Sequence, residues 1–130
     1  MGKNKIPESA VLRGCLDYLH ARGVMCWRNN TGAFKPQSGG FVRYGMTGSA
    51  DIIGICKDGR FLAVECKCKG GCPSAEQLHF QKQIKKNGGV ALIVYSVEEL
   101  IRAVADFRIA DNAEIRVLRA EIYEAMGVIG

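Results

Sequence analysis

Two apolar segments joined by a tight turn constrain the fold of this chain most strongly. Segment 51–56 is almost continuously apolar, which is typical of a central strand buried on both faces. Asp58-Gly59 favours a hairpin turn, and segment 61–68 has the composition of the returning strand. We expect Cys56 to pair with Phe61 across the turn, so that an antiparallel hairpin lies at the centre of the fold.

The segments on either side of this hairpin predict a mixed α/β domain. The predicted elements are a helix from Pro7 to Gly23, a strand over 24–27, a loop from Arg28 to Gly40, a strand over 41–44, a helix capped at 74–77 and ending near 87–88, a strand over 90–95, a helix capped at 96–99 and a last helix from 111. The strand–helix–strand unit over 61–95 is expected to be a right-handed parallel crossover. We therefore predict one α/β domain over residues 1–130, with a mixed central sheet flanked by helices.

The composition excludes several classes of protein. Hydrophobic residues make up 48% and charged residues 24% of the chain, which is ordinary for a globular domain and excludes a collagen-like or disordered chain. No apolar run approaches the roughly 18 residues that a membrane span needs. The basic N-terminus leads into Pro7 rather than an apolar stretch, so neither a secretory signal nor a membrane partner is expected.

The six cysteines are expected to be small, reduced core residues. Without a secretory signal the compartment is reducing, so a disulfide framework is not expected. Cys66, Cys68 and Cys72 lack the paired two-residue spacing of a structural zinc site. A zinc-bound interaction domain remains the alternative, and metal analysis separates the two.

Positive charge is concentrated in the first three-quarters of the chain, although the net charge is only +5. Residues 1–50 hold seven Lys or Arg against two acids, whereas residues 98–130 hold four against seven. A polyanion would be attracted to the basic part. We expect phosphate contacts from Arg28, Lys35, Arg43 and Lys69, and the alternative is a basic loop that is merely solvated.

Three charged residues around the hairpin suggest a chemical site. Glu65 and Lys67 share one face because side chains alternate along a strand, and the hairpin brings Asp51 close to them. Two carboxylates are suited to a hard divalent cation, which can activate water and neutralise a phosphoryl oxygen. Lys67 can hold that water or stabilise a pentavalent transition state. A solvated Glu-x-Lys strand end is the alternative.

Glu8 and Gln77 fall on the inward stripes of their predicted helices. Glu8 precedes Val11 and Leu12 at helical spacing, but a first-turn acid is also favoured by the helix dipole. Gln77 begins the stripe of the next helix, but it is also the reciprocal member of a capping box. Both interpretations stay open for each residue.

The motifs that carry this chemistry resemble those of a nuclease family. They are Gly48-Ser49-Ala50-Asp51, Glu65-Cys66-Lys67, Ser74-Ala75-Glu76-Gln77 and Phe80. In this order they resemble the PD-(D/E)XK nuclease superfamily, and more closely its virus-type replication-repair branch, VRR-NUC. The similarity runs from about Glu8 to Leu100. Ala50 stands where the family motif has a proline that shapes the turn and supplies no ligand.

This resemblance implies a metal-dependent, structure-selective DNA endonuclease with a restriction-endonuclease-like core, ordered αβββαβ with C-terminal helices. It implies Mg²⁺ or Mn²⁺ held by Asp51, Glu65 and the backbone carbonyl of Cys66, with Lys67 positioning water and with Glu8 and Gln77 completing the site. Branched DNA such as a Holliday junction is the expected substrate, and a prokaryotic or phage-encoded enzyme in the cytoplasm is the expected setting. A non-catalytic DNA-binding module, or a nuclease acting on flaps or plain duplex, is the alternative.

A homodimer is also expected, because a four-way junction needs two cuts on strands related by two-fold symmetry. The last predicted helix offers an apolar surface for this contact, formed by Ile115, Leu118, Ile122 and Met126. The alternative is that these residues cap the core of the monomer.

Overall fold

The computed structural model describes residues 5–30, 32–111, 121–122 and 124–127. Its helices are α1 (Glu8–Ala21), α2 (Ala75–Lys86) and α3 (Val97–Asp106). Its strands are β1 (Met25–Arg28), β2 (Gly32–Phe34), β3 (Val42–Tyr44), β4 (Ile52–Ile55), β5 (Phe61–Cys66) and β6 (Val90–Val94). Of the predicted last helix, Ile115 and Leu118 lie outside the described residues, while Ile122 is in a helical turn and exposed.

Four of the strands form one mixed sheet in the order β1-β4-β5-β6. β4 lies antiparallel to both β1 and β5, whereas β5 and β6 run parallel. The parallel pair is connected through α2, as the strand–helix–strand pattern predicts. The prediction of a mixed α/β fold with a central sheet and flanking helices is confirmed at this level.

A second, two-stranded sheet is formed by β2, which lies within the segment predicted as a loop, and β3, which lies within the strand predicted over 41–44. β2 pairs antiparallel with β3, with Gly32 opposite Tyr44 and Phe34 opposite Val42. The prediction of an uninterrupted loop from Arg28 to Gly40 is therefore wrong at β2. Three residues are too few to show a strand pattern by themselves, and here the partner strand supplies the hydrogen bonds.

The central hairpin forms, but its register differs by one residue from the prediction. Phe61 lies opposite Ile55 rather than Cys56. Gly59 adopts a φ of 93° and its N–H donates to the Cys56 carbonyl at 2.9 Å, so the loop is longer than a two-residue turn. The longer loop matters because it changes which residue faces Asp51.

Helices cover the sheet on both faces. Leu19 of α1, Leu62 of β5 and Leu100 of α3 are completely buried in the larger core cluster. On the opposite face, Phe80 and Ile84 of α2 pack against a smaller cluster. Five of the six residues of β5 are buried as a result, so a polar side chain on this strand is withdrawn from water.

The two predicted capping boxes differ in the structure. At α2 the box is complete, since Ser74 and Gln77 satisfy each other's backbone N–H groups. At α3 the Ser96 hydroxyl accepts the Glu99 N–H, but the Glu99 carboxylate accepts the N–H of Tyr95 at 2.7 Å instead. The second box is therefore only half formed.

All six cysteines are free thiols. Four are buried, as expected of core residues, namely Cys15, Cys26, Cys56 and Cys66. Cys68 is half-buried and Cys72 is exposed, so the expectation of a core position is wrong for Cys72. None of the helices in the described part of the chain has the length and apolar character needed to cross a membrane.

Candidate active site

The candidate site lies where β4 begins and β5 ends. Because Ile52 pairs with Val64, the next step of the ladder places Asp51 directly across from Glu65. The Asp51 carboxylate oxygen Oδ2 also accepts the backbone N–H of Cys66 at 2.8 Å. With the predicted register, Asp51 would instead have faced Cys66. The extra loop residue in the hairpin therefore aligns the two carboxylates.

Glu65 is the buried acid of this site, with 2% of its surface exposed. Its Oε1 accepts a hydrogen bond from the Gln77 side-chain amide at 2.9 Å. The ammonium group of Lys67 lies 3.9 Å from the same oxygen, and the Lys67 side chain is only 13% exposed. A cation and an amide donor thus orient one carboxylate oxygen of Glu65.

Gln77 performs both of the roles that the sequence left open. Its Oε1 accepts the N–H of Ser74 at 2.9 Å and completes the cap of α2. Its Nε2 donates to Glu65 from the other end of the same amide. The capping box therefore holds the Gln77 amide in place, with its donor group directed at the site.

The Glu65 carboxyl has a strongly perturbed pKa. Burial, followed by the charge of Asp51 and the hydrogen bond with it, raises this pKa from 4.5 to about 8. The positive charge of Lys67 acts in the opposite direction, and the charge of Glu8 adds a smaller upward effect. Two carboxylates held together in a partly dry environment favour either a shared proton or a bound cation.

Glu8 lies near the site but not on the buried stripe of α1. It is the first residue of the helix and is exposed, whereas Val11 and Leu12 are buried. The prediction that Glu8 faces inward is therefore wrong, because the packed stripe begins only with the following turn. Its influence on Glu65 is electrostatic.

Asn29 is a site residue that the sequence analysis missed. Its side-chain amide donates to the Ser49 hydroxyl at 2.7 Å and to the Ala50 carbonyl at 3.0 Å. Its backbone N–H donates to the Asp51 carbonyl at 2.7 Å. Asn29 thereby fixes the turn that delivers Asp51. An Asn after a short strand gives no sequence signal of this role.

The turn before Asp51 packs closely on the start of α2. Gly48 adopts a φ of 81°, and a Cβ there would lie 2.6 Å from the Glu76 backbone. Ala50 is 1% exposed and packs in the smaller core cluster. This packing therefore fixes the position of the turn before Asp51 relative to Gln77 at the start of α2.

The donor set of the site fits a hard divalent cation. Asp51 and Glu65 provide adjacent carboxylate oxygens, and a cation between them would offset their mutual repulsion. Across the described ranges, no group of three or more His, Cys, Asp or Glu side chains is placed to hold a metal. Glu8 thus does not join the pair as a third carboxylate, and the other ligands would be backbone, water or substrate oxygens.

Three of the four predicted phosphate-binding residues have side chains in the described part of the structure. Arg28, Lys35 and Lys69 are exposed, while the side chain of Arg43 lies outside the described part. Arg28 lines a groove of about 630 Å³ along α1, together with Arg13, a second arginine that the sequence analysis did not single out. The acidic Asp17 lines the same groove.

Comparison of the chain with protein-family models, with curated proteins and with solved structures found no match.

Proposed function

We propose that this protein is a divalent-metal-dependent DNA endonuclease related to the VRR-NUC branch of the PD-(D/E)XK nucleases. The observation that carries the proposal is the convergence of Asp51, Glu65, Lys67 and Gln77 at one end of the central hairpin. Strongly perturbed acids of this kind cluster at functional sites. In the main sheet the elements follow the order αβββαβ, as expected for a restriction-endonuclease-like core.

Asp51 and Glu65 are the residues that would hold Mg²⁺ or Mn²⁺, which when bound activates water and offsets negative charge on the phosphate. The N–H of Cys66 fixes the orientation of the Asp51 carboxylate. The Gln77 amide fixes that of Glu65. Neither carboxylate has to reorganise before a phosphodiester enters, which is how preorganised sites lower a barrier.

Lys67 supplies the positive charge of the site. Its ammonium lies beside Glu65 and its side chain is largely shielded from solvent, so its field is weakly screened. In this position Lys67 donates a hydrogen bond to the attacking water or to the phosphoryl oxygen whose negative charge grows in the transition state.

The proposed substrate is DNA, with branched forms such as a Holliday junction preferred. Arg13 and Arg28 along α1 provide charge for the phosphates on the side of the sheet that carries this helix. A homodimer would offer two equivalent sites to two strands of a junction, and we include it in the proposal.

The test is cleavage of a labelled four-way junction, a flap and a plain duplex with Mg²⁺, with Mn²⁺ and with EDTA. We expect cleavage only with a divalent cation. We expect Glu65→Gln and Lys67→Ala to lose at least about 100-fold in rate, because each removes a charge from the site. Glu98→Gln and Lys85→Ala make the same chemical changes on exposed helix positions and should cleave like the wild type.

Circular dichroism of each variant verifies that the fold is kept. Well-folded Glu65→Gln and Lys67→Ala proteins with nearly wild-type rates would overturn the assignment. Tight DNA binding without cleavage in every cation would instead identify a non-catalytic DNA-binding module.

A further inference from the structure

A second groove opens on the face of the sheet that carries α2. Its sheet side is formed by Ile53 and Phe61, and its helix side by Phe80 and Ile84. We call this space, of about 630 Å³, the α2 groove. It is large enough for one nucleotide, since pockets for small ligands span about 300–1,000 Å³.

The α2 groove borders residues that support the candidate active site. Asn29 and Ser49 line one end of it, and these two residues hold the turn that delivers Asp51. Glu76 lines it from the first turn of α2, immediately before the Gln77 that contacts Glu65. A strand whose phosphate reached the carboxylates would therefore have its adjacent nucleotide at the mouth of the groove.

The chemistry of the lining disfavours a phosphate as the occupant. Within the described part of the chain, no Lys or Arg lines the groove, and its ionisable lining residues are His79 and the acidic Glu76. Its walls are mostly apolar, and its rim carries neutral hydrogen-bonding groups such as the amides of Asn29 and Gln83. An uncharged, flat group with polar edges fits this lining, and a nucleobase is such a group.

The surface beside the groove also suits an unstacked base. Trp27, the single tryptophan of the chain, is 46% exposed and lies opposite Ile53 in the ladder, on the same face. Exposed aromatic rings bind unpaired bases by stacking, irrespective of sequence. Trp27 and the α2 groove thus lie on one face of the sheet, and both suit a base that has left the helical stack.

We propose that the α2 groove binds one unstacked nucleobase of the DNA strand that occupies the active site. This proposal rests on the proposed function, and it explains a preference for branched DNA, because a base at a branch point costs less to unstack than a base in a duplex. Gln83 lines the groove with a side-chain amide that can hydrogen-bond an edge of that base.

The experiment measures binding in EDTA, so that no cleavage is needed. Fluorescence anisotropy compares an intact labelled flap with flaps that carry one abasic nucleotide at successive positions around the branch point. For the wild type we expect removal of one particular base to weaken binding about tenfold or more. Trp27 fluorescence should respond to the intact flap and less to that abasic flap.

Two variants distinguish an effect of the groove on binding from an effect of other positions on α2. Gln83→Phe adds a ring inside the groove and should bind the intact flap as weakly as the sensitive abasic one, with no further loss on the abasic flap. Leu78→Phe adds a ring at an exposed position of the same helix that does not line the groove, and it should behave like the wild type.

Equal affinity for every abasic flap would overturn the base site, even if metal-dependent cleavage is found. An equal loss of affinity on the sensitive abasic flap in the wild type and in Gln83→Phe would also overturn the base site. A groove-dependent penalty in a protein that never cleaves would support the base site and refute the nuclease. Absence of any DNA binding would refute both.

Discussion

Replacing Glu65 with glutamine should make the metal-free protein less sensitive to alkaline pH. The Glu65 carboxyl has a pKa of about 8 in the folded protein, against 4.5 for an ordinary glutamate. A group whose pKa is raised by folding binds its proton more tightly in the folded protein. It therefore stabilises the fold fully at pH values below its unfolded pKa, and this stabilisation is lost as the pH rises through its folded pKa. The Glu65→Gln variant has no titrating group at this position and keeps an acceptor for the Gln77 amide.

The size of the effect follows from these two values. Each unit of pKa difference corresponds to about 1.4 kcal/mol. At about pH 6 the folded protein still retains about 3 kcal/mol from the Glu65 proton, and at about pH 8.5 almost none. The free energy of unfolding of the wild type should therefore fall by about 2–3 kcal/mol more than that of Glu65→Gln over this interval.

The assay is urea denaturation of both proteins in EDTA at these two pH values. Burial raises the pKa of Cys26 to about 11 and also raises that of Cys56, so these thiols contribute their own pH dependence. Their contributions are common to both proteins and cancel in the difference. Adding Mg²⁺ or Mn²⁺ at the higher pH should stabilise the wild type, because a cation favours the ionised carboxylates, and should leave Glu65→Gln nearly unchanged.

Parallel pH profiles of the two proteins would refute this reasoning. They would mean that Glu65 is ionised in the folded protein over the whole interval, and that its contact with Lys67 outweighs burial and the charge of Asp51.

Three further predictions concern other parts of the molecule. Asn29→Ala should lower the free energy of unfolding by about 1–2 kcal/mol, because its amide donates two hydrogen bonds to the Asp51 turn, and an unchanged urea midpoint would contradict this. Lys35→Gln should reduce the slope of log affinity for DNA against log salt by about one in anisotropy titrations, whereas a merely solvated Lys35 predicts no change. Light scattering should give the mass of a dimer, and a monomer that still makes paired cuts on a junction would contradict the dimer proposal.

The local patterns of the sequence predict most of the elements. The Ser74 and Gln77 spacing predicts the cap of α2, and the apolar runs predict β4, β5 and β6 within one or two residues at their ends. These features depend on near neighbours in the chain, since capping and strand alternation are set by residues a few positions apart. The proximity of Asp51 and Glu65 also follows once the hairpin is recognised.

The arrangement of the site was decided by tertiary structure. The register that sets Asp51 across from Glu65 depends on one extra residue in the hairpin loop that contains Gly59. A shift of one residue would have placed the Glu65 side chain on the opposite side of the sheet from that of Asp51. The support from Asn29 and the exposure of Glu8 depend on how β1 and α1 end beside the hairpin. These contacts join residues that are distant in the chain. Packing and strand register therefore determine them, and local sequence patterns do not predict them.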